Sequence, residues 1–302
     1  MLFSNNKILS AFSEKIYAAL LENKYEVLPE SFKEINYGFT FKTLPPAAKK
    51  EISVAVYHTE KNGFSFVTKD ANIRQILNLI ISNPELAGSD EAGKGDLFGP
   101  LVVCAFVLGK GENEILKLNI KDSKKLKNEE ILDIYEYINQ KYPDSFSLVK
   151  IMPERYNTFY KDLSDKGKNL NHMLGWAHAK AISELLKKRA EISKIVVDKF
   201  TENRGINEKI ASSASGIAVE FAVRAEQNIA VAAASIMARA HYLISLKYLS
   251  KTALLGKFEL IPGSGDKSDE LLSKIIDEFG IEVVAGICKT HFSNLKSAAL
   301  PQ

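Results

Sequence analysis

Residues 88–100, GSDEAGKGDLFGP, place two adjacent carboxylates, Asp90 and Glu91, just ahead of the tripeptide Gly93-Lys94-Gly95. Two chemistries suit such a string. One is phosphate cradling, since Gly88, Gly93 and Lys94 fit the spacing G-x-x-x-x-G-K-[ST]. The other is a hard-cation site, where carboxylates hold Mg²⁺ for phosphoryl chemistry and glycines let the backbone approach a sugar-phosphate chain. The phosphate-loop reading, with the nucleoside triphosphatase activity it would imply, meets three objections. Gly95 stands where a Mg²⁺-binding hydroxyl is required, and two acids lie where phosphates would be cradled. The segment before Gly88 reads as helix, Asn83-Pro84 and a short connection, so the apolar strand comes only after the loop. The hard-cation reading leads, and a solvated acidic turn is its bland alternative.

Further acids could complete such a site. Asp198 ends the apolar run KIVV, a usual place for a functional carboxylate at the edge of an α/β sheet. Glu226 follows IAVEFAVRA and precedes an alanine-rich stretch, while Glu220 lies within the preceding strand. As sequence neighbours, Asp90 and Glu91 would point to opposite faces of an ideal strand. Either the chain bends near Gly93, or one of them contributes its backbone carbonyl. No histidine completes a site: His172 and His178 are six residues apart rather than four and read as helix packing.

The whole string resembles the opening motif of the type 2 ribonucleases H, D-E-x-G-x-G-x-x-x-G-P. Lysine between the glycines, followed by D-x-F-G-P, is similar to the ribonuclease HIII branch. KDSKKL (121–126), NLNHMLGWAHAKAI (169–182), VVDKF (196–200), AVAAASIMAR (230–239) and KTHF (289–292) follow in the family's order, so the likeness covers roughly residues 86–297. The resemblance implies a metal-dependent endoribonuclease that cleaves the RNA strand of an RNA/DNA hybrid, leaving 5′-phosphate and 3′-hydroxyl ends. It implies two Mg²⁺ ions, with Mn²⁺ able to substitute, held by Asp90, Glu91, Asp198 and Glu226. The stretch from Glu226 to Ser235 is one residue shorter than in the family, which keeps Glu220 as a rival for the fourth position. By the same resemblance the backbone of Gly93, Lys94 and Gly95 reads the 2′-hydroxyl, and Ser123, Lys124 and Ser235 contact phosphates. His291 of KTHF occupies a family motif position but stays outside the catalytic set. A non-catalytic nucleic-acid-binding protein on the same fold is the alternative in another functional class.

The elements that must position these groups follow from periodicity. Ile8, Phe12, Ile16, Ala19 and Leu20 predict a helix over 5–23, INYGFTFK and ISVAVYH predict strands, and EKNG (60–63) predicts a hairpin turn before FSFVT. ANIRQILNLIIS reads as a helix ended by Asn83-Pro84. The resemblance makes residues 1–82 a substrate-binding domain similar to the TATA-binding protein, ahead of a catalytic domain over 86–302. In the second part LVVCAFVL, SFSLVKIM, SKIVVDKF and IAVEFAVRA read as strands. NEEILDIYEYINQ, residues 168–190 and NIAVAAASIMARAHYLISLKYL read as helices, with a helical C-terminal third broken at IPGSGDKS. This alternation predicts an α/β fold, and the family implies a ribonuclease H-like mixed sheet flanked by helices after a small α+β domain.

Composition sets the bounds. The 302 residues suffice for two domains, and a formal charge of +3 permits a polyanion partner without requiring one. The two cysteines have no metal-ligand spacing, and Cys104 inside LVVCAFVL reads as a buried thiol, which suits a reducing cytoplasm. No apolar run approaches about 20 residues, so no membrane span is expected. A monomer is expected as well.

Overall fold

The spacing of Phe12, Ile16 and Leu20 becomes the buried face of α1 (Lys7–Glu22). The computed structural model describes residues 7–46, 50–59, 63–82, 85–109, 115, 118, 120, 126–189, 192–223, 225, 228–292 and 295. The chain divides into two compact units, residues 1–86 with 187–194 and residues 87–186 with 195–302.

In the first unit α1 is followed by four antiparallel strands in the order β1 (Glu26–Ile35), β2 (Gly38–Leu44), β3 (Ile52–Thr59) and β4 (Gly63–Thr68), then by α2 (Ala71–Ser82). INYGFTFK is not one strand, because the chain reverses at Asn36 and Tyr37, where Tyr37 takes φ 61°. The charged stretch EVLPESFKEI forms β1 despite Pro29. It is an edge strand, and its register slips between Leu28 and Lys33, which accommodates a residue without an N–H. Residues 60–62 of the expected hairpin turn lie outside the described residues, while Thr59 pairs with Gly63 across it. Phe39, Phe41, Val54 and Val56 are fully buried against Ile16, Leu20, Ile73 and Leu77. Alternation along β2 and β3 explains this burial: one side of each strand meets the helices, and the other carries polar or half-buried groups.

The second unit is built on a mixed sheet ordered β7-β6-β5-β8-β9, with helices on its faces. Its strands are β5 (Glu85–Ala92), β6 (Leu101–Leu108), β7 (Phe146–Ile151), β8 (Ile192–Asp198) and β9 (Ala218–Ala222). β6 is buried over seven of its eight residues, as an unbroken apolar run requires, and pairs antiparallel with β7. Its helices are α3 (Asn128–Lys141), α4 (Pro153–Ser164), α5 (Leu170–Lys188), α6 (Arg204–Ser213), α7 (Ile229–Thr252), α8 (Asp266–Phe279) and α9 (Val284–Ile287).

One strand was hidden in the motif itself. ELAGSDEA reads as a connection, yet it forms β5, the middle strand of the sheet. The expectation that no strand leads into Gly88 is therefore corrected; the two chemical objections to a phosphate loop stand. Gly88 is required there by close approach. A Cβ on it would lie 2.2 Å from the Val231 nitrogen, because α7 packs its backbone directly onto β5. The small residues Ala230, Ala232, Ala233 and Ala234, all buried, permit that contact. By length and composition α7 could cross a membrane, but 72% of its apolar window is buried in protein, the condition of a core helix.

Candidate active site

β5 and β8 are neighbours in the sheet, so the ends carrying Asp90, Glu91 and Asp198 converge. All three acids line one open cleft of about 350 Å³, together with Gly93, Lys94, Gly95, Ser235 and Arg239. The question of diverging neighbours is settled by a bend. β5 ends at Ala92 and the chain turns at Gly93 with φ +87°, where a Cβ would sit 2.1 Å from the Pro100 carbonyl oxygen. Asp90 Oδ1 also accepts a hydrogen bond from the Glu91 backbone N–H at 2.8 Å.

The electrostatics are those of crowded acids. Burial, then the negative charge of Glu91, pushes the Asp90 carboxyl up to about 7; Asp198 adds to the rise, and hydrogen bonds from Ser235 and the Glu91 backbone oppose it. Glu91 goes the other way. Burial raises it, but His178, by hydrogen bond and charge, and then Lys94 outweigh burial and hold it below the ordinary carboxylate range. Its Oε2 lies 3.2 Å from His178 Nε2 and its Oε1 accepts from Lys94 Nζ at 3.3 Å. Asp198 Oδ1 accepts from the Ala225 N–H at 3.0 Å, so the residue immediately before Glu226 in sequence is tied to the third acid.

The remaining expected residues separate clearly. Ser235 reaches the cleft, where it hydrogen bonds to Asp90. Glu226, Ser123 and Lys124 lie outside the described residues. Glu220 is exposed on β9 and is not among the residues lining the cleft. His291 rests against Tyr156 and Tyr160 and is not among the residues lining the cleft.

Three residues escaped the sequence reading. His178, dismissed as helix packing, touches Glu91; its motif NLNHMLGWAHAKAI was visible, but a helical histidine gives no sign of what it faces. Arg239 lies one turn beyond Ser235 on α7, a spacing that would have placed both on one face. Lys289 is fully buried, and its Nζ donates to the carbonyls of Asp96 at 2.8 Å and Phe98 at 3.2 Å. Burial pushes its ammonium down to about 7. With Tyr242 Oη on Phe98 O and Gly263 N–H on Asp96 Oδ1, it fixes the chain just beyond Gly95.

The donor set fits a hard divalent cation in chemistry: oxygen only, acidic, and destabilised by its own repulsion when no cation is present. Among the described residues no three such side chains are drawn together tightly enough to hold an ion. Glu91 is instead engaged by Lys94 and His178.

Comparison with known proteins gives this cleft its context. A family model described as Ribonuclease HII matches residues 87–295. The chain is 33% identical over 298 residues to a ribonuclease HIII of Listeria monocytogenes, covering 89% of this chain and 94% of that one. A ribonuclease HIII of Protochlamydia amoebophila is 33% identical over 209 residues, covering 69% of this chain and 66% of its own. Among solved structures, Bst-RNase HIII in complex with Mn²⁺ matches with a TM-score of 0.63 at 25% identity, over 85% of this chain and 87% of that one. Aquifex aeolicus RNase H3 matches with a TM-score of 0.58 at 26% identity, over 93% and 96%. The chain belongs to the ribonuclease HII family, in its ribonuclease HIII branch, and is a ribonuclease H enzyme.

Proposed function

We propose that the protein is a divalent-metal-dependent endonuclease that cleaves the RNA strand of RNA/DNA hybrids, leaving 5′-phosphate and 3′-hydroxyl ends. The observation that carries this is the meeting of Asp90, Glu91 and Asp198 in one cleft beside Gly93-Lys94-Gly95. Asp90, Glu91, Asp198 and Glu226 would hold two Mg²⁺ ions, with Mn²⁺ able to replace them; the Mn²⁺ bound by the Bst enzyme agrees with this. When bound, such ions neutralise charge on the attacking and leaving oxygens of a phosphodiester. The chain supplies the rest. Ala225, fixed on Asp198, supports Glu226 over Glu220 as the fourth acid. The space around Gly95, where a Cβ would meet nothing within 4 Å, leaves room for a ribose, and the backbone of residues 93–95 would read its 2′-hydroxyl. Ser123, Lys124, Ser235 and Arg239 would contact phosphates. The N-terminal domain, residues 1–82, would bind the hybrid, and the enzyme would act as a cytoplasmic monomer.

The test is cleavage of end-labelled hybrid beside double-stranded RNA and DNA, with Mg²⁺ or with a chelator. Internal cuts in the RNA of the hybrid alone, abolished by the chelator and bearing the stated ends, are expected. Binding without cleavage at any metal concentration would favour the non-catalytic alternative.

A further inference from the structure

The Glu91 carboxylate has two partners of different character. Lys94, on Oε1, has a side chain 38% exposed at the rim of the cleft. His178, on Oε2, is fully buried. Its ring is also fixed in place from two further directions. Ser89 Oγ lies 2.8 Å from Nδ1 and 2.9 Å from the Cys104 carbonyl oxygen on β6. The Phe200 ring stacks on the imidazole, with centroids 5.0 Å apart and planes 9° from parallel. Both neighbours come from strands of the sheet or their immediate continuation.

We propose that His178 is the positioning residue for Glu91: it keeps Oε2 and leaves Oε1, whose partner Lys94 can exchange into solvent, as the oxygen presented to a divalent cation. This rests on the reading of the acids as a metal site. A free glutamate beside two other carboxylates would swing away from them, and Lys94 offers it a place to go. A buried donor on the far oxygen limits that swing and lowers the ordering cost of cation binding, as outer-shell partners of metal ligands do. Phe200 links the two partners, since Lys94 Nζ sits 5.6 Å from the centroid of the ring that stacks on His178.

The test is Mn²⁺ binding to the free full-length enzyme, read from the paramagnetic resonance of unbound Mn²⁺, with thermal melting as the control for folding. His178→Leu fills space but cannot donate, and should weaken Mn²⁺ binding on the order of 10–100-fold. His178→Gln, whose amide reaches the Nε2 position, should recover most of that loss. His178→Asn reaches only the Nδ1 position and should behave like His178→Leu, so it carries the comparison if the leucine variant does not fold. Adding His178→Leu to Glu91→Gln should cause no further loss, because the effect passes through the carboxylate. Equal loss in His178→Gln and His178→Leu, or additive loss in the double variant, would overturn the proposal in favour of simple packing. Absence of Mn²⁺ binding to the wild type would instead overturn the metal reading beneath it.

Discussion

Asp90 carries a conflict between folding and function at the level of a single residue. Its carboxyl, ordinarily ionised above 3.8, is pushed up to about 7 by burial and then by the charge of Glu91. Between those values the folded chain binds more protons than the unfolded one, so the stability that Asp90 contributes is full at low pH and lost as pH rises through about 7. Asp90→Asn should therefore raise the melting temperature of metal-free enzyme at about pH 8, and the gain should shrink steadily toward pH 4. Melting curves of both proteins in chelator check this; a gain that is the same at all pH values would show that the fold does not raise the Asp90 carboxyl. The fourth acid is a second question at this scale. Glu226→Gln should cut hybrid cleavage at least about a hundredfold, roughly 2.7 kcal/mol of transition-state stabilisation, while Glu220→Gln costs little. Steady-state rates decide between them, and the reverse ranking would move the ligand into β9.

At the scale of elements, β5 and α7 act as one structure. The helix rests its backbone on Gly88, two residues before Asp90, and presents Ser235 to the same carboxylate. Gly88→Ala should force the two apart and lower the melting temperature, with an overpacking cost of about 1–3 kcal/mol. Gly95→Ala should melt like the wild type, since nothing stands within 4 Å of the added carbon, yet weaken cleavage by obstructing the ribose. Paired melts and hybrid-cleavage rates separate these outcomes. The same elements show what the sequence reveals. β6 was legible because seven consecutive buried apolar residues admit few alternatives. β5 was not, since ELAGSDEA carries glycine, serine and two acids; its strand form comes from β6 and β8 on either side, a tertiary effect. α4 went unread although Pro153 at its first turn and Glu154 behind it are ordinary helix-start signals. Asp90, Glu91 and Asp198 were legible by type and order, whereas His178 became visible only when folding brought residue 178 to residue 91.

At the scale of the whole molecule, the chain divides into two units, and every acid of the proposed site lies beyond residue 86. The first unit has its own core and keeps Tyr37 exposed at the turn between β1 and β2. Removing residues 1–82 should weaken hybrid affinity much more than the chemical step, so single-turnover rates at saturating enzyme should stay within about an order of magnitude. A collapse of that rate with the nuclease unit still folded would mean that the N-terminal unit helps build the site. The most direct measurement is single-turnover cleavage of an end-labelled RNA/DNA hybrid by wild type, Asp90→Asn and Asp198→Asn, with hybrid affinity measured on the same preparations. Each substitution removes a charge that the proposed metal ions would require. Cleavage should fall by at least about a thousandfold, some 4 kcal/mol, while affinity and fold persist. Mg²⁺-dependent turnover near the wild-type rate in either variant would contradict a catalytic centre built on these acids.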